Sequence, residues 1–96
     1  MRRYETMFIV KPDMEKEQAQ QVVVRFAELI QANGGTIDKV SEWGRRRLAY
    51  EVQKYREGFY YLINFTAESA VADELERNLK ISEDVIRYLI VRTDEE

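Results

Sequence analysis

The chain has 96 residues, a net charge of −3 and 45% hydrophobic residues, which predicts one folded domain, because a second core does not fit this length. It contains neither cysteine nor histidine. This composition excludes disulfides and thiolate zinc sites and removes the commonest general base. We therefore expect a protein that is not an enzyme and has no metal, cofactor or small-molecule substrate.

The first apolar stretch is interrupted by Glu5, too early for a signal peptide, and no apolar run is long enough to span a membrane. We therefore expect a soluble, cytoplasmic protein. Residues 2–10 predict a strand, because they are rich in β-branched and aromatic side chains. Asp13 is the predicted N-cap of a helix that runs to Asn33. The apolar stripe of this helix, spaced by three and four residues, is Ala19, Val22, Val23, Phe26, Leu29 and Ile30.

The alternation of residues 36–53 slips near Gly44, which predicts one long strand bent at a bulge. After it we predict a turn, a strand, a helix and a last strand at 54–58, 59–66, 68–80 and 85–92. The order strand–helix–strand–strand–helix–strand predicts an α+β ferredoxin-like sandwich, a four-stranded antiparallel sheet with two helices on one face. We assign residues 1–93 to this single domain and 94–96 to a short acidic tail.

One phase of each strand must lie under the helices, and the polar residues Glu5, Asn64 and Arg87 mark the other phase as the open face. On this assignment Val85 also lies on the open face. The apolar residues expected on it are Met7, Ile9, Tyr60, Leu62, Leu89 and Val91. Monomers seldom expose such a patch unless a partner covers it, which favours a protein partner. The alternatives are self-association, or cover by the bent strand, Trp43 or the tail.

Charge divides between the helical and the strand parts of the chain. Residues 13–33 and 66–84 hold ten acidic against four basic side chains, whereas the strands and their turns hold eleven basic against five acidic. Eight of those eleven are arginine, whose planar fork binds phosphate at two points. The strand side therefore suits an RNA backbone despite the negative net charge.

The densest basic cluster is Arg45, Arg46 and Arg47, which alone could also be a charged edge strand protected from aggregation. Further arginines on the first and last strands favour RNA, namely Arg2, Arg3, Arg87 and Arg92. The aromatic residues Trp43, Tyr50 and Tyr60 could stack on bases, but aromatic residues in strands more often pack against the core.

The segment Trp43-Gly44-Arg45-Arg46-Arg47-Leu48-Ala49-Tyr50 resembles the signature of the small-ribosomal-subunit protein six family. The opening residues 1–5, the helix after Asp13 and the segments 85–87 and 91–93 are similar to that family in order and spacing, so the resemblance covers nearly the whole chain. Two departures are Glu51, where members often have proline, and the short tail 94–96, where some members carry a long acidic one.

The resemblance implies the ferredoxin-like fold and a structural role in the small ribosomal subunit. It also implies binding to the central domain of 16S rRNA together with small-subunit protein eighteen. By position, it implies rRNA contact at Arg2, Arg3, Arg45, Arg46, Arg47, Arg87 and Arg92. The implied protein contacts are Met7, Ile9, Tyr60, Leu62 and Leu89.

Two other classes of protein share this topology. An RNA recognition motif would stack bases on the third strand, but here Glu57 replaces the expected basic residue, and Phe59 and Tyr61 share the buried phase. A phosphatase or metabolite-binding domain would need a glycine-rich anion loop that opens a helix. Gly34 and Gly35 instead follow a helix, as a C-cap does.

Overall fold

Six elements follow one another in the computed structural model, which describes residues 1–94. They are β1 (Arg2–Val10), α1 (Lys16–Ala32), β2 (Thr36–Val52), β3 (Tyr55–Ala67), α2 (Ser69–Ile81) and β4 (Val85–Arg92). The strands form one sheet in the order β2-β3-β1-β4, with every neighbouring pair antiparallel. Both helices bury their apolar stripes in a common core with the sheet. The predicted ferredoxin-like sandwich is confirmed.

The core lies between the helices and one phase of the strands. Tyr4, Thr6 and Phe8 of β1 are buried there, and the ring of Phe8 meets Phe26 of α1 edge-on at 5.3 Å between centroids. The Thr6 hydroxyl donates a hydrogen bond of 3.1 Å to the Leu89 carbonyl, so its burial leaves no polar group unsatisfied. Burying a phenylalanine of this kind contributes about 2 kcal/mol to folding. The remaining phase of β1 is thereby fixed on the opposite face of the sheet.

The first helix begins later than the sequence predicts. Its N-cap is Glu15, whose backbone N–H donates to Oε1 of Gln18 at 2.9 Å, a reciprocal arrangement at the first turn. The prediction that Asp13 is the N-cap is wrong. The Asp13 carboxylate instead accepts a hydrogen bond of 3.3 Å from the Tyr55 hydroxyl, which ties the β1–α1 loop to the start of β3.

The long bent strand is confirmed, but its turn is shorter than predicted. Gln53 and Lys54 form the whole turn, with φ of 51° and 72°, and β3 begins at Tyr55. Such left-handed angles at both central residues suit the twist of a two-residue hairpin. The predicted turn over 54–58 is therefore wrong.

Gly44 marks the predicted bulge. The pairing passes from Glu42 opposite Tyr61 to Gly44 opposite Tyr60, so Trp43 has no facing residue on β3. Gly44 has a φ of +80°, and nothing lies within 4 Å of the position that a Cβ would take. Its conformation, and not a lack of space, is therefore what requires glycine here.

The end of the β2–β3 hairpin covers part of the open face. Its residues Leu48, Ala49, Tyr50 and Val52 line a cavity of about 220 Å³ together with Met7, Ile9, Tyr60 and Arg87. Ile9 is only 2% exposed, so the prediction that it belongs to an exposed patch is wrong. The alternative of cover by the bent strand holds at this position.

The strand β4 also departs from simple alternation. Its register with β1 shifts between Ile9, which faces Arg87, and Val10, which faces Val85. Val85 is consequently part of the buried core, and Ile86 lies beside Gly58. The placement of Val85 on the open face is wrong because this irregularity exchanges the two phases at the start of the strand.

Candidate RNA-binding and protein-binding surfaces

The predicted RNA-binding arginines form two groups at opposite ends of the sheet. The N-terminal group is Arg2, Arg3 and Arg92, which meet because Tyr4 of β1 faces Arg92 of β4. The hairpin group is Arg45, Arg46, Arg47 and Arg87, gathered around the far end of β1. From Arg3 to Ile9 along β1 is about 20 Å at a rise of about 3.3 Å per residue. The structure thus presents two separate basic regions.

Within the hairpin group, Arg45 is bound by its own chain. Its Nη1 lies 3.6 Å from the Glu57 carboxylate, and its Nη2 donates to the Pro12 carbonyl at 3.3 Å. Its guanidinium also lies over the Phe59 ring, 4.7 Å from the centroid. Arg45 therefore ties the β2–β3 hairpin to the β1–α1 loop.

The other members of the hairpin group are more open. Arg46 is exposed; its Nε donates to the Trp43 carbonyl at 3.2 Å, and its guanidinium lies 5.9 Å from the centroid of the Trp43 ring. Arg47 is exposed and makes no ion pair or hydrogen bond with any side chain in residues 1–94. Arg87 lies over the Tyr50 ring at 5.2 Å. Stacked guanidinium groups keep their edges available for an anion.

The N-terminal group is closed by an acidic residue. The carboxylate of Asp94 accepts a hydrogen bond of 2.8 Å from Nε of Arg92 and one of 3.2 Å from the backbone N–H of Arg3. The hydrogen bond from Arg92 is the main reason that the pKa of Asp94 is lowered. Asp94 of the predicted acidic tail is therefore attached to the sheet, whereas Glu95 and Glu96 lie outside the described residues.

The open sheet face carries a row of apolar side chains across three strands. Met7 of β1 faces Leu62 of β3 on one side and Leu89 of β4 on the other. Leu89 is 54% exposed and Val91 is 39% exposed, whereas Met7, Tyr60 and Leu62 are half-buried. The predicted patch thus comes together without Ile9. We call the apolar row Leu89, Met7 and Leu62 the open-face row.

The helical side has a different chemical character. Its ion pairs include one within a helix, between Arg77 and Glu74 of α2 at 2.7 Å. A cavity of about 540 Å³ between α1 and the β1–α1 loop is lined by Asp84, which already pairs with Arg25 at 2.8 Å and Lys11 at 3.7 Å. Among residues 1–94, no three acidic side chains lie close enough to hold a metal ion. No helix in the same range is long and apolar enough to cross a membrane.

The positions at which an RNA recognition motif would stack bases are buried. Phe59 is 5% exposed and Tyr61 is 2% exposed, because both face the helices. This arrangement gives no support to an RNA recognition motif, since neither ring can reach a base without unpacking the core.

The fold and these surfaces define a small α+β sandwich with exposed arginines at two ends of the sheet and an apolar row between them. A family model described as ribosomal protein S6 matches residues 3–92. The small ribosomal subunit protein bS6 of Moorella thermoacetica is 55% identical over 96 residues, which cover 100% of this chain and 98% of that protein. The protein of the same name from Heliobacterium modesticaldum is 52% identical, with both chains covered completely.

A solved structure agrees with the sequence matches. The crystal structure of 30S ribosomal protein S6 from Thermotoga maritima superposes with a TM-score of 0.92 at 35% identity, covering 97% of this chain and 88% of that one. The chain belongs to the ribosomal protein S6 family. Members of this family are structural components of the small ribosomal subunit and not enzymes.

Proposed function

We propose that this chain binds the central domain of 16S rRNA in the small subunit of cytoplasmic ribosomes, together with small-subunit protein eighteen. The observation that carries the proposal is the separation of surfaces on the sandwich. Exposed arginines lie on the strands, acidic side chains concentrate on the helices, and the open-face row lies between the two arginine groups. Such a molecule has one side that attracts RNA phosphates and one side that repels them.

RNA contact is assigned to both arginine groups. In the hairpin group, Arg46 and Arg47 are exposed and have no carboxylate within ion-pair distance in the described chain. In the N-terminal group, Arg2 and Arg3 are exposed at the start of β1. Two basic regions about 20 Å apart along a strand match contact with more than one segment of RNA backbone.

Protein contact is assigned to the open-face row with Tyr60 and Val91. An exposed leucine flanked by half-buried apolar neighbours is typical of the centre of a protein interface, where charged residues are depleted. Glu5 and Asn64 border the row, and the Asn64 amide donates a hydrogen bond of 3.2 Å to the Glu5 carboxylate, so they form a polar rim beside the apolar side chains. Ile9 is left out of the contact because the hairpin covers it.

The net charge of −3 bears on the order of assembly. An isolated chain that is acidic overall meets RNA with long-range repulsion on its helical side, so we expect it to bind RNA weakly by itself. A partner on the open-face row would add its own contacts with RNA. We therefore expect the heterodimer to bind well.

The test is binding to a central-domain fragment of 16S rRNA across a salt series, with and without protein eighteen. We expect binding that depends on the partner. The slope of the logarithm of the binding constant against the logarithm of the salt concentration should fall in magnitude by about 0.9 for each phosphate contact removed. The variant Arg47→Ala should reduce this slope, whereas Lys80→Ala on α2 removes the same charge from the helical side and should not. Absence of binding with and without the partner would overturn the proposal.

A further inference from the structure

Trp43 occupies an unusual place for the largest apolar side chain. It is the extra residue of the β2 bulge, and 49% of it is exposed although it lies within a strand. A bulge re-aims a side chain and interrupts the ladder, and bulges are common beside functional sites. The positive φ of Gly44, +80°, fixes this local geometry. The left-handed conformation of Gly44 thus belongs to a bulge that leaves the aromatic ring of Trp43 exposed to solvent.

A guanidinium orders this ring. Arg46 lies over Trp43 at 5.9 Å, and its Nε is bound to the Trp43 carbonyl at 3.2 Å. The hydrogen bond and the cation–π contact hold both side chains in one arrangement before any ligand arrives. A preorganised aromatic surface loses little conformational entropy on binding.

The charges around the ring suit a polyanion. Gly44 and three consecutive arginines follow Trp43 on the strand. The acids nearby are engaged elsewhere, since Glu57 on the facing strand is paired with Arg45 and the Glu42 carboxylate accepts a hydrogen bond of 3.1 Å from Gln20. Arg46 and Arg47 have no carboxylate partner in residues 1–94 and remain available to the phosphates of a strand whose base stacks on the ring. A planar ring beside arginines is the arrangement that binds single-stranded RNA, because the base stacks while the cations hold its backbone.

A protein partner fits this place less well. The centre of a protein interface is apolar and depleted in charge, whereas the ring of Trp43 lies against the Arg46 guanidinium and between charged residues of β2. The apolar open-face row is formed by β1, β3 and β4, and not by the bulge of β2. The local chemistry therefore favours a nucleobase.

We propose that Trp43, ordered by Arg46, is a stacking platform for an unpaired base of the bound RNA. This inference rests on the proposed RNA-binding function and adds to it one contact that reads single-stranded character. Phosphate contacts by the arginines do not require an unpaired nucleotide; stacking on Trp43 does.

Fluorescence gives a direct test, because Trp43 is the only tryptophan of the chain. The complex with protein eighteen is titrated with a short oligoadenylate and with an abasic ribose-phosphate chain of the same length. A parallel titration of the Trp43→Leu complex supplies the background from any tryptophan of the partner. We expect quenching by the oligoadenylate and none by the abasic chain.

Affinities complete the test. Trp43→Leu should weaken oligoadenylate binding about tenfold, Trp43→Phe should retain most of it, and all three proteins should bind the abasic chain equally. Ile81→Ala, an exposed apolar residue on the helical side, is the control and should change nothing. Circular dichroism checks that each variant is folded.

The remaining outcomes overturn the inference. Equal affinity for both probes without quenching would mean that the arginines bind phosphate and the ring does not stack, which leaves the proposed function standing. Quenching by protein eighteen alone, with no further effect of bases, would place Trp43 in the protein interface. Failure of both probes and of the rRNA fragment to bind would overturn the inference together with the proposed function.

Discussion

The guanidinium carbon of Arg45 lies 4.7 Å from the centroid of the Phe59 ring. This contact gives Arg45 a structural role that Arg47 does not have. Phe59 is a core residue, 5% exposed, and Arg45 covers its outer side while binding the Pro12 carbonyl and Glu57. An arginine held at three points by its own chain gives up those contacts if it turns towards RNA. Its neighbour Arg47 has no such contacts to lose in the described residues.

Arg45→Ala and Arg47→Ala should therefore differ in effect. Loss of the contacts of Arg45 should lower the free energy of unfolding by about 1 kcal/mol, since a cation–π contact is accompanied by a hydrogen bond and a partly exposed ion pair. Arg47→Ala should leave stability within about 0.5 kcal/mol and weaken rRNA binding more than Arg45→Ala does. Urea denaturation and filter binding measure the two quantities. A larger loss of RNA affinity from Arg45→Ala would contradict this division.

Leu89→Asp should separate partner binding from folding. Leu89 is 54% exposed at one end of the open-face row, so a carboxylate there remains hydrated in the free chain and stability should change by about 0.5 kcal/mol or less. At a desolvated interface the same charge should weaken association with protein eighteen at least about tenfold. Ile81→Asp is the matched control, because Ile81 is 63% exposed on the helical side. Calorimetric titration showing equal losses for the two variants would remove the open-face row from the interface.

The fold follows from the sequence because its signals are periodic. The stripe of α1 and the strand phases of Phe8 and Ile63 have one consistent solution, and the structure buries each of them. The bulge at Gly44 was also predictable, since a glycine at a change of phase is a local signal. These parts depend on neighbours in sequence or on alternation, which a single chain displays.

Two of the errors, the N-cap at Asp13 and the turn at 54–58, are local, whereas the others involve contacts between distant segments. Ile9 has the alternation of an open-face residue, and only the path of the β2–β3 hairpin shows that it is covered. Gln53 and Lys54 form a turn without glycine, against the usual preference. Nothing in the sequence of the acidic tail indicates that Asp94 hydrogen-bonds to Arg92 and Arg3. The sequence did contain one signal that Ile9 is covered. A glycine inside a strand, here Gly58, often marks close approach of another backbone.

Gly58→Ala should be strongly destabilising. A Cβ at this position would lie 2.4 Å from Cγ2 of Ile9 and 3.0 Å from the Val10 carbonyl oxygen, so the hairpin must move away from β1. Overpacking of this kind costs about 1–3 kcal/mol.

Gly44→Ala is the informative comparison for Gly58→Ala. No atom lies within 4 Å of a Cβ at Gly44, so only the positive φ disfavours alanine there. Gly44→Asn should cost less than Gly44→Ala, since asparagine tolerates left-handed angles, while no residue with a Cβ should rescue Gly58. Thermal denaturation of the variants tests this, and a Gly58→Ala protein as stable as the unmodified chain would refute the close approach.

Asp94→Asn should strengthen RNA binding. The Asp94 carboxylate accepts a hydrogen bond from Arg92 and lies at the N-terminal arginine group, where its negative charge would compete with an RNA phosphate. Removing its charge should raise affinity for the rRNA fragment about twofold to fivefold at low salt, with the difference vanishing at high salt. Glu83→Gln removes the same charge from the turn after α2 and should have a smaller effect. Equal effects would show that net charge alone, and not the contact with Arg92, is responsible.

Tyr61→Phe should remove a buried hydroxyl that has no regular hydrogen bond in the core. The Tyr61 hydroxyl is buried and has no hydrogen-bond partner among residues 1–94. An unsatisfied buried hydroxyl costs about 1–3 kcal/mol, so replacing it with hydrogen should leave the protein equally stable or more stable. Burial raises the pKa of Tyr61 from 10.0 to about 12, and the facing Glu42 carboxylate adds to the shift through its negative charge and as an acceptor whose geometry falls short of a regular hydrogen bond.

The raised pKa gives the substitution a signature in alkali. Because the folded protein holds the phenolic proton more tightly than the unfolded chain, the stability linked to Tyr61 is fully present below pH 10.0 and is lost as the pH rises towards about 12. Tyr61→Phe should flatten this part of the pH–stability curve, whereas Tyr50→Phe, at a tyrosine that is 60% exposed, should not. Chemical denaturation between these pH values provides the measurement. Identical alkaline slopes for the unmodified chain and Tyr61→Phe would mean that the hydroxyl finds a partner or reaches water in solution.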